Sequence, residues 1–128
     1  MNDNQTCYCK SNLSYSECCE PYHLGEAAPT AEALMRSRYS AYVLDKGNYL
    51  YKSWSQGTRP SKKSLKSGEP MQWVALEIIR TEGGTALDSE GVVEFKASYK
   101  VDNKVEVLHE VSRFIRENTR WVYLDGKY

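Results

Sequence analysis

The chain has 128 residues, of which 41% are hydrophobic and 12% are aromatic, which is typical of one globular domain with an ordinary core. Its 17 basic and 17 acidic side chains cancel, so long-range attraction to nucleic acid or anionic lipid is not expected to dominate its binding. No apolar run approaches the roughly 18–20 residues that cross a bilayer, and residues 1–6 are polar, so we expect a soluble, cytoplasmic protein with no membrane span.

The first 25 residues nearly lack aliphatic side chains, so they cannot form a core of their own. All the cysteines of the chain lie here, at Cys7, Cys9, Cys18 and Cys19. Such a cluster of reduced thiols points to metal binding, since a disulfide framework would spread cysteines along the chain. Four thiolates can enclose a zinc ion and leave no open position for catalysis, which predicts a structural Zn²⁺. His23 is an alternative fourth ligand in place of Cys19, and iron is the competing metal.

The next segment predicts two helices. Thr30 is a favourable N-cap, and an apolar face follows at helical spacing, made of Leu34, Met35, Ala41 and Tyr42. Arg38 lies in the middle of that face. Residues 45–47 end this helix, and Asn48 can cap a shorter helix that continues to Trp54.

Beyond a polar loop at 55–70, the hydrophobic period changes from helical to strand-like. In residues 93–101 apolar and polar side chains alternate, which is the pattern of a half-buried strand. Turn-forming pairs at 102–103 and 118–119 separate the later strands. The four predicted strands are 73–81, 93–101, 104–117 and 120–124, the third long enough to carry a bulge. Two helices followed by a four-stranded antiparallel meander indicate an α+β fold.

The sequence CYCKSNLSYSECC resembles the SEC-C motif, C-P-C-G-S-G-x-x-Y-x-x-C-[CH], which also occurs at the carboxy-terminal tail of the SecA translocase motor. The matching residues are Cys7, Cys9, Ser11, Tyr15, Cys18 and Cys19. Three positions depart from the motif: Tyr8 replaces the usual proline, and Lys10 and Asn12 replace the two glycines. The metal ligands of the motif are intact.

Two longer segments, PTAEALMRSRYSAYVLDKGNYLYKSW and HEVSRFIRENTRWVYLDGKY, resemble the body and tail of the YchJ-like (UPF0225) family of bacterial proteins. The resemblance implies an NTF2-like fold, a cone of N-terminal helices packed in a curved antiparallel four-stranded sheet and preceded by a small zinc knuckle. It divides the chain into a SEC-C-like knuckle at 1–25 and an NTF2-like domain at 26–128. The family is uncharacterised as to activity, so the resemblance implies no reaction.

An NTF2-like cone usually opens into a cavity between helices and sheet. The candidate lining residues are Arg38, Tyr39, Trp54, Glu110, Ser112, Phe114 and Trp121. Arg38 stays charged and needs a partner within its apolar face, for which Glu110 is the best candidate and Glu77 the alternative. Strand parity separates Glu110 and Ser112 from His109, which argues against a His109–Ser112 nucleophilic pair. These residues form either a ligand pocket or, in the interpretation we favour, a buried ion pair with an aromatic core.

The sequence favours a protein-docking adaptor or binding module whose zinc knuckle presents a rigid surface to a partner. The alternative is an enzyme or small-molecule binder that uses the cavity, with Glu110 as acid/base and Arg38 as anion holder. A weaker alternative, contact with RNA or a ribosome, rests on the basic loop 52–66, which contains Lys52, Arg59, Lys62, Lys63 and Lys66. We favour a solvated surface for this loop and do not expect nucleic acid as the partner. A homodimer through a face that exposes Trp73 or Ile79 is a further expectation.

Overall fold

The computed structural model describes residues 7, 9, 13–59 and 72–127. A 3₁₀ turn at Tyr15–Glu17 precedes three helices and a sheet, which confirms the predicted α+β class. The elements are α1 (Glu20–His23), α2 (Ala31–Val43), α3 (Gly47–Lys52), β1 (Gln72–Gly83), β2 (Glu90–Val101), β3 (Lys104–Glu117) and β4 (Arg120–Lys127). The strands form one antiparallel sheet in sequence order. None of the helices in these residues is long and apolar enough to cross a bilayer.

Helix α2 begins where the sequence predicts, because Thr30 Oγ1 accepts a hydrogen bond from the Ala33 amide at 3.0 Å. Its first turn is fixed to the sheet by the Ala31 amide, which donates to the Gly84 carbonyl at 2.9 Å. The buried face of α2 includes Ala31, Leu34, Met35, Arg38, Tyr39 and Ala41. Tyr42, which was predicted on this face, lies at its exposed edge.

Helix α3 differs from the prediction at both ends. Asn48, the predicted cap, lies inside the helix, and the helix ends before Trp54. The helix stops there because the chain pairs with β4: the Tyr123 amide donates to the Ser53 carbonyl at 2.8 Å, and the Ser55 amide donates to the Tyr123 carbonyl at 2.7 Å. This short pairing covers part of the free edge of β4.

The predicted strands are confirmed in number and order. Strand β3 has the predicted bounds, and the turns at 102–103 and 118–119 hold their residues at φ between 51° and 68°, as two-residue hairpins require. A register shift between β3 and β4 confirms the predicted bulge. The predicted end of the last strand is wrong, because Gly126 continues the ladder opposite Ser112.

The two faces of the sheet have different chemistry. Core side chains of the inner face, packed with α2, are Val93, Phe95, Ala97, Phe114 and Trp121. Glu110 and Ser112 are buried on this face, whereas the exposed His109 ring lies 2.6 Å from Glu94 on the outer face. The parity argument against a His109–Ser112 pair is therefore confirmed. Glu77, the alternative partner of Arg38, is exposed and does not face the core.

The residues of the expected dimer face lie in different surroundings. Trp73 packs inward against the rings of Tyr39, Tyr42 and Tyr99, with centroids 5.4–5.9 Å away. Ile79 is exposed and lies where the β1–β2 register shifts. Pairing of two chains through this face stays a prediction.

Candidate metal centre

The cysteines converge on one point. All four Sγ atoms lie within 4.8 Å of one another, with Cys9 and Cys18 separated by 3.5 Å and Cys18 and Cys19 by 3.8 Å. A sulfur tetrahedron with metal–sulfur bonds of about 2.3 Å has edges of roughly 3.8 Å. The cluster therefore fits one tetrahedral ion with four thiolate ligands.

Backbone hydrogen bonds place these ligands. The Cys7 amide donates to the Leu13 carbonyl at 2.6 Å, which folds the first pair back against the loop. The Cys18 amide donates to the Tyr15 carbonyl at 3.1 Å, so the 3₁₀ turn presents the second pair. The remaining motif positions, Tyr8, Lys10, Ser11 and Asn12, lie outside the described residues.

Three of the four thiols are buried, and their protonation states depend on each other. The neighbouring Cys7 sulfur raises the pKa of the Cys19 thiol, and Cys19 in turn lowers the pKa of the Cys7 thiol, because adjacent sulfurs do not lose their protons independently. Four thiolates at these separations need a cation between them. A bound metal ion would supply that charge.

Helix α2 packs against the cysteine cluster and contacts it through two side chains. The Ser40 hydroxyl donates to Cys19 Sγ at 3.3 Å and lies 3.5 Å from Cys7 Sγ. Arg36 donates from Nη1 to the Cys9 carbonyl at 2.8 Å and is itself held by Glu32 at 2.9 Å. These contacts orient the ligand loop and place a positive charge beside the thiolates.

His23 is not placed as a ligand. Its Nε2 donates to the Ser37 carbonyl at 2.8 Å, and its Nδ1 accepts from the Tyr15 hydroxyl at 2.6 Å. Burial lowers the pKa of the imidazole, which favours this neutral form. The alternative in which His23 replaces Cys19 is therefore wrong: both ring nitrogens are used to join α1 to α2 and to the loop.

The cysteines also belong to the main core. Cys7, Cys9 and Cys19 pack in one continuous cluster with α2 and the inner face of the sheet. These cysteines of the predicted knuckle at 1–25 thus share buried surface with the predicted domain at 26–128. The division into two units stays a prediction.

A cavity of about 300 Å³ lies between the segment 22–28, helix α3 and the β3–β4 turn. Of the seven predicted pocket residues, Trp54 and Trp121 line it. The other five lie outside its walls and are buried in the core: Arg38, Tyr39, Glu110, Ser112 and Phe114. Two aromatic side chains of the predicted set therefore line a cavity, whereas the predicted acid, Glu110, and the predicted cation, Arg38, do not.

The predicted Arg38–Glu110 ion pair is wrong. Arg38 donates to the Leu50 carbonyl at 3.0 Å and to the Ser53 hydroxyl at 2.7 Å. Glu110 instead accepts from the Ser112 hydroxyl at 2.6 Å and from the Tyr123 hydroxyl at 2.8 Å, and no Arg38–Glu110 contact falls within ion-pair distance.

The Tyr123 side chain contacts both Arg38 and Glu110. The Arg38 guanidinium lies 4.8 Å from the centroid of this ring and 4.9 Å from that of Trp54, an arrangement that stabilises a cation without a carboxylate. The carboxylate of Glu110 fills the space that a side chain at position 126 would occupy, which explains a glycine in β4.

Known proteins resemble this chain over most of its length. The family model described as "YchJ, middle NTF2-like domain" matches residues 30–126. A UPF0225 protein of Streptomyces coelicolor is 46% identical over 123 residues, covering 95% of this chain and 94% of the relative. A UPF0225 protein of Chromobacterium violaceum is 49% identical over 112 residues, covering 85% and 83%.

The chain belongs to the YchJ-like, UPF0225 family. Two solved structures of SEC-C-motif proteins are also similar. A solution structure from Rhodopseudomonas palustris has a TM-score of 0.86 at 27% identity and covers 96% of this chain and 98% of its own. A crystal structure from Psychrobacter arcticus has a TM-score of 0.80 at 33% identity, covering 94% and 81%. The predicted family and NTF2-like fold are therefore confirmed, and all four relatives are bacterial.

Sequence reasoning missed the residues that hold the knuckle to the NTF2-like domain of this UPF0225 chain. Arg36 and Ser40 are one helical turn apart on α2. That spacing is visible in the sequence, but it has meaning only when the cysteine loop is known to pack there. Of the basic loop, Lys52 and Arg59 line the cavity. Lys62, Lys63 and Lys66 lie outside the described residues, so contact with RNA or a ribosome stays a prediction.

Replacing Arg38 by methionine should cost the UPF0225 fold about 2–4 kcal/mol of unfolding free energy. The change removes hydrogen bonds from a buried charge to the Leu50 carbonyl and the Ser53 hydroxyl. Urea denaturation measures the loss. Lys96→Met, at an exposed position of the outer face, is the control and should stay within about 0.5 kcal/mol of wild type. Equal midpoints for the two variants would contradict this account of Arg38.

Proposed function

We propose that this chain is a protein-docking adaptor whose N-terminal knuckle is ordered by a structural zinc ion. The observation that carries the proposal is the closed cluster of four cysteine sulfurs, largely buried and supported by α2. Cys7, Cys9, Cys18 and Cys19 would hold the ion. With four protein ligands the ion would cross-link the chain and leave no site for a substrate.

The ion stabilises a segment that has little apolar surface of its own. Structural zinc sites contribute apparent binding free energies on the order of 10 kcal/mol or more at neutral pH. That energy is enough to order residues around the cysteines, provided the thiols stay reduced. The chemistry therefore suits the cytoplasm, where thiols are kept reduced.

The outer surface of the knuckle supports a role in docking. Leu24, directly after α1, is 81% exposed, and Leu13 is also exposed. The charged side chains of residues 13–25 are acidic, at Glu17 and Glu20, and a tetrathiolate zinc site adds negative charge. We call Leu13, Glu17, Glu20 and Leu24 the knuckle face. Its partner would be a protein with a basic surface and an apolar contact at its centre.

The test is affinity capture from a bacterial lysate with the full zinc-loaded chain and with Leu24→Asp. The substitution should remove a specifically bound protein without releasing zinc, because Leu24 contributes to the surface rather than to the metal cluster. Leu87→Asp is the matched control: Leu87 is 97% exposed in the β1–β2 connection and should leave capture unchanged. Raising the salt concentration should weaken capture, as expected for charge complementarity.

Equal capture by wild type and Leu24→Asp would contradict docking through the knuckle face. Loss of capture by both leucine variants would also contradict it, because binding would then not be specific to that face. Retained zinc, measured in each sample, ensures that a loss of capture reflects the surface and not the unfolding of the knuckle.

A further inference from the structure

We propose that the 300 Å³ cavity between segment 22–28, α3 and the β3–β4 turn binds a small organic anion that carries an aromatic ring. Of the knuckle face, this ligand site includes Leu24 alone. It is distinct from the Arg38–Glu110 region, whose charges are buried among their own partners and do not reach the cavity.

The volume and the walls suit a small aromatic group. The volume lies at the lower end of the range of about 300–1,000 Å³ that is typical of small-molecule sites. The aromatic side chains in its walls are Tyr22, Tyr49, Trp54 and Trp121. Aromatic rings bind another ring with favourable offset or edge contacts, so a planar ligand gains more here than a flexible chain does.

The charges that line the cavity call for an anion. Lys52, Arg59 and Arg120 reach it, and in the described part of the chain none of them lies within ion-pair distance of a carboxylate. The Arg59 guanidinium is held over the Tyr51 ring, 3.9 Å from its centroid, which orients its donors. Guanidinium groups bind carboxylate and phosphate oxygens in pairs.

The acids of the cavity do not cancel these cations. Glu117 accepts hydrogen bonds from the Ser55 hydroxyl and, at 3.2 Å, from the Gln56 amide. Its carboxylate is thus committed to holding the loop that follows α3. Glu26 is the second lining acid and is exposed. Three cations against two carboxylates leave one net positive charge at the site.

The metal cluster supports one wall of this cavity. Segment 22–28 follows Cys19 after less than one turn, and its start is fixed by the Leu24 amide, which donates to the Glu20 carbonyl at 3.0 Å. His23, which also lines the cavity, is joined to Ser37 of α2. Metal binding and anion binding should therefore favour each other; this coupling, unlike the site itself, rests on the proposed structural zinc.

The experiment titrates the full metal-loaded chain with phenyl phosphate, inorganic phosphate and phenol in turn. Binding is measured from the NMR signals of the indole N–H groups of Trp54 and Trp121. Phenyl phosphate should give saturable shifts and bind at least tenfold more tightly than either fragment. Arg120→Gln should weaken it at least fivefold. Lys96→Gln, at an exposed position of the outer face, should leave the affinity unchanged.

Three results would overturn the site: no saturable shift, phenol binding as tightly as phenyl phosphate, or Arg120→Gln binding as wild type does. The coupling is tested by chelating the metal, which should weaken phenyl phosphate binding at least tenfold. Undiminished binding by the metal-free chain would overturn the coupling alone, and neither result depends on capture through the knuckle face.

Discussion

Chelation of the metal should lower the melting temperature of the wild-type chain by at least about 10 °C. The Cys19→Ser variant should already have this low melting temperature, and chelator should not change it. An ion present at a thousand times its dissociation constant stabilises the folded state by about 4 kcal/mol, which for a chain of this size corresponds to a shift of that order. The effect reaches the whole domain because Cys7, Cys9 and Cys19 pack into the main core.

Ser16→Ala is the control for this result. Ser16 lies in the same loop, is exposed, and contacts Ser14 rather than a cysteine. It should keep the full metal-dependent gain. A melting temperature that is insensitive to chelator in the wild type, or a Cys19→Ser variant that still responds to zinc, would contradict a structural role for the ion.

Gly91→Ala should cost about 3 kcal/mol or more. A Cβ at this position would lie 2.5 Å from Gly84 Cα, 2.9 Å from Gly84 N and 3.0 Å from Ala31 Cβ. Two of these three atoms belong to backbone that cannot move aside cheaply, so overpacking should separate the β1–β2 connection from the first turn of α2. The Ala31–Gly84 hydrogen bond would be lost with it.

Gly57→Ala gives the matched comparison. The nearest atom to a Cβ at Gly57 is the Ser55 hydroxyl oxygen, 4.0 Å away, so the new methyl group has room. Its unfolding free energy should stay within about 0.5 kcal/mol of wild type, as measured by the same urea titration. If Gly91→Ala were as stable as Gly57→Ala, the close approach of α2 to the β1–β2 connection would be contradicted.

The elements that the sequence predicts well are those set by local chemistry. Alternation in residues 93–101 identifies β2 because a one-residue slip would turn every apolar side chain to solvent. The hairpin at 102–103 follows from an Asp-Asn pair that tolerates positive φ. The cysteine cluster is predictable for a similar reason, because its four cysteines lie close together along the chain. Four neighbouring thiolates can share a single metal ion.

The parts that escaped prediction are decided by distant segments. Trp54 continues a helical pattern in the sequence. In the structure its neighbours Ser53 and Ser55 hydrogen-bond to Tyr123 of β4, which is about 70 residues later in the chain. Arg38 takes its partners from the end of α3 and from aromatic rings, and no periodicity reveals that choice. The cavity is built from three segments far apart in the sequence, so its residues share no local signal.

The most direct test of the account is the metal content of the full chain, expressed and purified under reducing conditions with no metal added. Elemental analysis against protein concentration should give one zinc per chain. A fourfold serine variant at Cys7, Cys9, Cys18 and Cys19 should contain none. A wild-type chain without stoichiometric metal, or one that carries iron in place of zinc, would contradict the proposed structural zinc site.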